Sequence, residues 1–208
     1  MELNFRSDNE SPAAPAVFSA LEAANRGTAW AYAEDQWSGL LDQAFSELFD
    51  TDVTVIPVST GTAANSIALA SACPPWGSVY CHRNAHILND ECGAPEFFGN
   101  GMRLVPVDGE NGKFSAADME NLIHKNSGHG VHSYQPSAVS ITQSSESGTV
   151  YLPDEIRAIN DAARSHGMAT HMDGARFGNA VASLGASPAD LTWRAGVDLM
   201  TLGFTKNG

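Results

Sequence analysis

Positive charge is scarce in this chain. Its 208 residues carry 11 lysines and arginines against 24 aspartates and glutamates, a net charge of -13. Such a surface repels a phosphate backbone and an anionic lipid headgroup alike, so neither nucleic acid nor a membrane is an expected partner. Long apolar runs are also missing, and none approaches the ~20 residues that cross a bilayer. The opening MELNFRSDNE is polar and acidic, unlike a secretory signal. Cysteine is limited to Cys73, Cys81 and Cys92, an odd number with no CxxC pair. That usage predicts reduced thiols in a cytoplasmic protein rather than a disulfide frame. No metal is expected: His82 and His86 fit one helical face at i, i+4, but nothing nearby completes a ligand set. GxGxxG and GK[ST] motifs are absent, which argues against a bound nucleotide. Repeats, low-complexity tracts and interdomain linkers are lacking too.

What is present is a globular composition, 43% hydrophobic and 17% charged, in a chain long enough for one large domain with its own core. Ala16 to Asn25 is amphipathic and stops at Gly27, and a second helical stretch runs from about Gln36 to Phe49. VTVIPV (Val53 to Val58) is a β-branched run of strand type. It leads directly into STGTAANSIALASA, whose Ala/Leu/Ile spacing is helical. A short apolar run at Ser78–Cys81 precedes the polar segment AHILNDECGAPEFF. The strand MRLVPV (Met102 to Val107), the turn DGENGK, a capped helix from Ser115 to Lys125 and a polar loop to Pro136 follow. Then come the strand AVSIT, the helix LPDEIRAINDAARSHG with Pro153 early and Gly167 after its end, the strand MATHMD, the segment GARFGNAVASLG and the strand-like DLMTLGF. Strands alternating with helices predict an α/β fold with a mostly parallel sheet flanked by helices. In such sheets ligands bind beyond the carboxyl ends of the strands.

Three of those ends carry chemistry. Thr60-Gly61-Thr62 opens a helix, where unpaired N–H groups, a partial positive charge and two hydroxyls suit a phosphate monoester; an ordinary helix cap reads the same way. In HMDGAR, His171 and Asp173 face one side of a strand. Asp173, at the strand's end, suits a protonated ring nitrogen such as that of pyridoxal phosphate (PLP), which is a better electron sink when protonated. Arg176 follows within one turn and suits a substrate carboxylate or the cofactor's phenolic oxygen. The bland alternative is that Asp173 and Arg176 pair with each other or cap the next helix. Lys206 in GFTKNG is one of three lysines and alone follows an apolar strand. Apolar walls lower a lysine pKa and make a Schiff-base amine, although a surface lysine in a turn fits the same spacing. Phosphate cradle, ring-nitrogen acid and lysine occur in that order, and PLP requires all three roles.

The chain also resembles the low-specificity L-threonine aldolases within the fold-type I PLP enzymes. FRSDN, AYAEDQW, STGTAANS, AHILNDECGAPEFF, ITQSSESGTVYLP, HMDGARFGNA and GFTKNG carry the resemblance, and together they span essentially all of the chain. ECGAPEFF, HMDGAR and TKNG are specific in combination. The resemblance implies that Lys206 holds the cofactor, Asp173 pairs with its pyridine nitrogen and Arg176 contacts cofactor or substrate carboxylate. It implies that His86 stacks on the cofactor ring and transfers protons, although a lone histidine is most often a polar surface or capping residue. Thr60, Gly61 and Thr62 match the phosphate loop, Thr205 adds a hydroxyl and Ser7 lies near the substrate carboxylate. Family members continue well past the lysine. On that comparison residues 1–208 are the PLP-binding large domain, incomplete at its carboxyl end, without the small domain and a further carboxylate-binding arginine. AYAEDQW departs from the more usual Gly-Asp-Asp loop, at the positions of Glu34 and Asp35.

The implied reaction is PLP-dependent cleavage of L-threonine, L-allo-threonine and related β-hydroxy-α-amino acids to glycine and an aldehyde. The implied assembly is a homodimer or homotetramer. Three rivals remain at the level of sequence. One is another PLP reaction on the same fold, such as β-elimination or transamination. Another is a non-catalytic fragment or partner-binding remnant. The third is a doubly wound domain holding a different phosphate ligand.

Overall fold

Five short runs rich in β-branched and apolar residues become strands in the computed structural model, which describes residues 6–206. Phe5 of FRSDN, the first five residues of MELNFRSDNE, and Asn207 and Gly208 of GFTKNG lie outside the described residues. The strands are β1 (Gly77–His82), β2 (Arg103–Val107), β3 (Gln135–Thr142), β4 (Ala169–Gly174) and β5 (Leu199–Leu202). They form one sheet in the order β2-β1-β3-β4-β5, and every pairing is parallel. The expected α/β architecture is the one observed. Parallel strands are buried on both faces: all six residues of β1 are buried, and so are five of six in β4.

The helices are α1 (Pro15–Ala24), α2 (Leu41–Phe49), α3 (Gly61–Ala72), α4 (His86–Asn89), α5 (Ala94–Phe98), α6 (Ala116–Asn126), α7 (Pro153–Ser165) and α8 (Phe177–Leu184). Their ends follow local chemistry. The Ser115 hydroxyl accepts from the Asp118 amide and the Asp118 carboxylate from the Ser115 amide, a closed capping box that starts α6. Pro153 sits at the start of α7, whose buried stripe is Ile156, Ile159, Asn160, Ala162 and Ala163. Side-chain alternation on β4 assigns the two faces of the sheet. Thr170 donates to Asn160 on α7, whereas Asp173, three residues on, accepts from Asn65 on α3. Helices α3 and α7 therefore cover opposite faces. Leu69, Val79, Cys81, Ile87, Met102 and Leu104 pack into one cluster of the core.

The described chain divides into two compact units, residues 6–57 with 204–206, and Val58–Gly203. The sheet lies in the second. In the first, Phe45 stacks on Phe49 with ring centroids 6.5 Å apart and meets Phe204 edge-on at 6.1 Å. Helix α1 buries no residue, and Phe18 and Leu21 are exposed.

Four expectations are corrected. VTVIPV forms no strand. β-Propensity describes fit to a neighbouring strand, and here the Val53 amide donates to the Ser46 hydroxyl and the Val55 amide to the Asp42 carboxylate. AHILNDECGAPEFF is not merely a polar segment, because it folds as α4 and α5 around buried Ile87 and Pro95. His82 and His86 do not share a helical face: His82 ends β1 and His86 begins α4. The helix expected from about Gln36 is a 3-10 turn at Ser38–Leu40 leading into α2. All three cysteines are free, and burial pushes the thiols of Cys73 and Cys81 up to about 11 and about 12. Among the described residues no helix is long and apolar enough to cross a membrane, and no group of three or more His, Cys, Asp or Glu is arranged to hold a metal.

Gly174, the last residue of β4, permits close strand approach: a Cβ there would lie 2.6 Å from the Thr201 carbonyl oxygen. Gly174→Ala is expected to cost about 1–3 kcal/mol in denaturant unfolding, the usual range for overpacking. An unchanged midpoint would contradict this tight β4–β5 contact.

Candidate active site

The carboxyl ends of parallel strands share one edge of the sheet, and the chain leaves β1, β3 and β4 there into His86, Glu146 and Arg176. Asp173 sits one residue before the end of β4 and is opposite Thr142 of β3 and Thr201 of β5. It is 3% exposed. A buried carboxylate must be hydrogen-bonded: its Oδ1 accepts from the Ala175 amide at 3.0 Å and its Oδ2 from Asn65 Nδ2 at 3.1 Å.

Helix α3 begins at the glycine of Thr60-Gly61-Thr62. The Thr60 hydroxyl accepts from the Ala63 amide at 3.1 Å, so the ordinary cap is formed. The amides of the first helical turn have no acceptor within the helix itself, and a Cβ on Gly61 would meet nothing within 4 Å. One turn further on, buried Asn65 reaches Asp173 and also donates to Glu91 Oε1 at 2.8 Å.

His86 is the first residue of α4. Its amide donates to Glu146 Oε1 at 2.8 Å, and its Nδ1 lies 2.9 Å from Glu91 Oε1. The imidazole is partly exposed, whereas the Glu91 side chain is fully buried. His86 and Asp173 are thus joined through Glu91 and Asn65, and the same helix that carries Asn65 carries Thr60–Thr62 at its start. Arg176 is the half-buried cap residue of α8, and its carbonyl accepts from the amides of Ser144, Asn179 and Ala180. His171, on the Asp173 face of β4, has Nδ1 2.9 Å from the Ser140 hydroxyl and Nε2 3.2 Å from the Thr201 hydroxyl. Burial pushes this imidazole down to about 4, and the Asp173 charge opposes the shift.

The remaining expected residues belong to the other unit. The Ser7 hydroxyl accepts from the Asn9 amide at 3.2 Å and caps the turn Asp8–Glu10. Lys206 Nζ is 3.7 Å from Asp8 Oδ1 with its side chain 15% exposed, and Thr205 is exposed. Asp35 of AYAEDQW is a local cap. It accepts from the Ser38 hydroxyl at 2.6 Å and from the Ser38 and Trp37 amides, and these bonds hold its carboxyl below the usual range.

Sequence reasoning missed Asn65, Glu91 and Glu146, although all three lie inside segments it had singled out. The available signal was spacing: Asn65 is one helical turn beyond Gly61, and Glu91 is five residues beyond His86.

The parallel sheet with polar groups at its carboxyl edge is an α/β fold, and comparison with known proteins names its family. The β-eliminating lyase family profile matches residues 4–208, and the chain belongs to that family. It is 47% identical to the low specificity L-threonine aldolase of Pseudomonas aeruginosa over 98% of this chain and 58% of that protein. The corresponding enzyme of Escherichia coli O157:H7 is 26% identical over 91% of this chain and 55% of its own length. A solved structure of Leishmania major threonine aldolase superposes with TM-score 0.89 at 29% identity, covering 97% of this chain and 58% of that one. A serine palmitoyltransferase of S. paucimobilis shares the fold, with TM-score 0.52 at 18% identity over 77% of this chain and 38% of that one. The chain therefore spans rather more than half the length of these three threonine aldolases.

The buried His171 yields a prediction with a definite sign. A histidine held neutral in the folded state and free to protonate when unfolded gives stability that is complete above about 6.5 and is lost as pH falls toward about 4. The limiting slope is about 1.4 kcal/mol per pH unit. His171→Gln should flatten this part of the stability–pH curve in urea unfolding series. Parallel curves for the two proteins would disprove the assignment.

Proposed function

We propose that this chain is the cofactor-binding part of a PLP-dependent carbon–carbon lyase that cleaves L-threonine, L-allo-threonine and related β-hydroxy-α-amino acids to glycine and an aldehyde. One observation carries the reading: a chain 47% identical to low specificity L-threonine aldolases joins a buried acid, Asp173, to a histidine, His86, at the carboxyl edge of its sheet. On this reading residues 1–208 correspond to most of a large domain.

The residues fit the cofactor. Each Asp173 oxygen accepts one hydrogen bond, and a carboxylate oxygen has two lone pairs, so capacity remains for a ring N–H. The open approach at Gly61 and the first-turn amides of α3 suit a phosphate. Thr60 and Thr62 add hydroxyls, with Thr205 as a further donor. Bound PLP supplies a sink for the electron pair released when a Cα–Cβ bond breaks. Asp173 keeps the ring nitrogen protonated. Lys206 supplies the amine that holds the cofactor. Arg176 and Ser7 orient the substrate carboxylate. His86 takes the proton from the substrate β-hydroxyl as the bond to Cα breaks, and the proton that completes glycine is delivered at Cα.

The substrate is a small amino acid, and neither nucleic acid nor membrane enters the reading. A homodimer or homotetramer is part of it, supported by apolar residues that the chain leaves exposed: Ile67, Trp76, Phe97 and Phe98. A cytoplasmic location accords with three free cysteines.

The test is spectroscopic and chemical. The protein with added PLP should develop a yellow band, and borohydride followed by intact mass should locate a stable adduct at Lys206. Lys206→Ala should lose both the adduct and turnover. L-Threonine should yield glycine and acetaldehyde, whereas pyruvate and ammonia from serine, without aldehyde from threonine, would mark a β-eliminating enzyme instead.

A further inference from the structure

The geometry points to Glu91 as the residue that positions His86: it holds the imidazole as the Nδ1–H tautomer, leaves Nε2 as the ring's acceptor, and ties the ring to Asp173 through Asn65. This rests on the reading of His86 as the proton-transfer group.

The argument begins with the Asn65 amide. Its nitrogen has two hydrogens, and two carboxylate oxygens lie within reach, Glu91 Oε1 at 2.8 Å and Asp173 Oδ2 at 3.1 Å. Turning the amide over would set its oxygen against both carboxylates, so the network fixes its orientation. One Asn65 hydrogen is thereby committed to Glu91 Oε1. That same oxygen lies 2.9 Å from His86 Nδ1. An unprotonated Nδ1 facing a carboxylate oxygen would be a contact between two acceptors. A proton on Nδ1 makes it a hydrogen bond, with the imidazole as donor and Glu91 as acceptor. In the neutral ring only one nitrogen carries a proton, so Nε2 becomes the base. Nε2 has no hydrogen-bond partner among the described residues, and the ring is 43% exposed.

Glu91 is built into its place. Its side chain has no solvent exposure, and its Oε2 has no hydrogen-bond partner. Cys92 and Gly93 turn the backbone immediately after it with φ of 53° and 72°. The His86 end is fixed independently by the bond from its amide to Glu146. A buried carboxylate with a bare oxygen is costly to keep. Ordering a histidine beside a reacting group is a use that matches the cost, as an orienting acid does for a general base.

The decisive measurement reads the tautomer in the wild-type protein. In the full chain labelled with 15N-histidine, without cofactor and in alkaline buffer, His86 should carry its proton on Nδ1; loss of a signal in His86→Gln assigns it. A proton on Nε2 overturns the proposal. Glu91→Ala should move His86 toward the Nε2–H form that unrestrained imidazole favours. It should lower kcat for threonine cleavage roughly 10–100-fold, with KM within about threefold, the range for loss of a positioning contact to an acid–base group. Glu91→Gln keeps an acceptor oxygen, so it should restore the Nδ1–H form and recover most of the kcat lost in Glu91→Ala. An unchanged tautomer in Glu91→Ala, or a changed tautomer with full kcat, also overturns the proposal. If the wild type neither binds PLP nor releases glycine, the functional reading fails, while the cofactor-free spectra still decide what Glu91 does to His86.

Discussion

A carboxylate buried at the end of a central strand constrains everything around it. Asp173 is almost wholly removed from water, and an isolated charge there would be too costly to keep. The fold answers with donors from two directions. The Ala175 amide comes from the turn that leaves β4, and the Asn65 amide comes from α3 above the sheet. Asn65 can serve only if α3 sits at a fixed height and rotation on the strands. The buried residues Ser66 and Leu69 on the same helix fix both. The start of α3, with Thr60 and Gly61, is placed as a consequence. Thus one electrostatic requirement couples the position of a helix to the position of a charge.

The same arrangement gathers like charge. Glu91 and Asp173 accept from a single amide nitrogen, and the charges of Glu146 and Glu96 both bear on the buried Cys81 thiol. Carboxylates at this end of the sheet repel one another, so their hydrogen-bond donors matter more than their number. Surface pairs such as Arg26–Glu22 and Arg157–Asp154 contribute little by comparison, because water screens them. Hydrophobic burial under the sheet supplies the bulk of the stability, and the polar network specifies where the strand ends sit.

Charge also divides the roles of the histidines. His171 is sealed between hydroxyls on β3 and β5 and is held neutral by burial. His86 begins a four-residue helix, keeps part of its ring in solvent and bonds to a buried acid. Only the second can exchange a proton with something arriving from outside. Both residues look alike in the sequence, as single histidines within short motifs.

The sequence by itself determined the alternation of strands and helices and the parallel sheet, and it marked Thr60, Gly61, Thr62, His86, Asp173 and Arg176 as candidates beyond the strand ends. Those features are local: hydrophobic period, caps and strand-end position act over a few residues. It misjudged VTVIPV, because a strand exists only where another strand accepts its hydrogen bonds. It also passed over α4 and α5, because their polar composition hides how few apolar residues a short helix needs to dock. Glu91 and Asn65 were beyond its reach for a further reason. Asn65 meets Glu91 across 26 positions and Asp173 across 108, and no local pattern records such a meeting. Which acid orients the histidine, and which amide joins it to Asp173, was decided only when the packing of α3 on the sheet brought the three segments within hydrogen-bond distance.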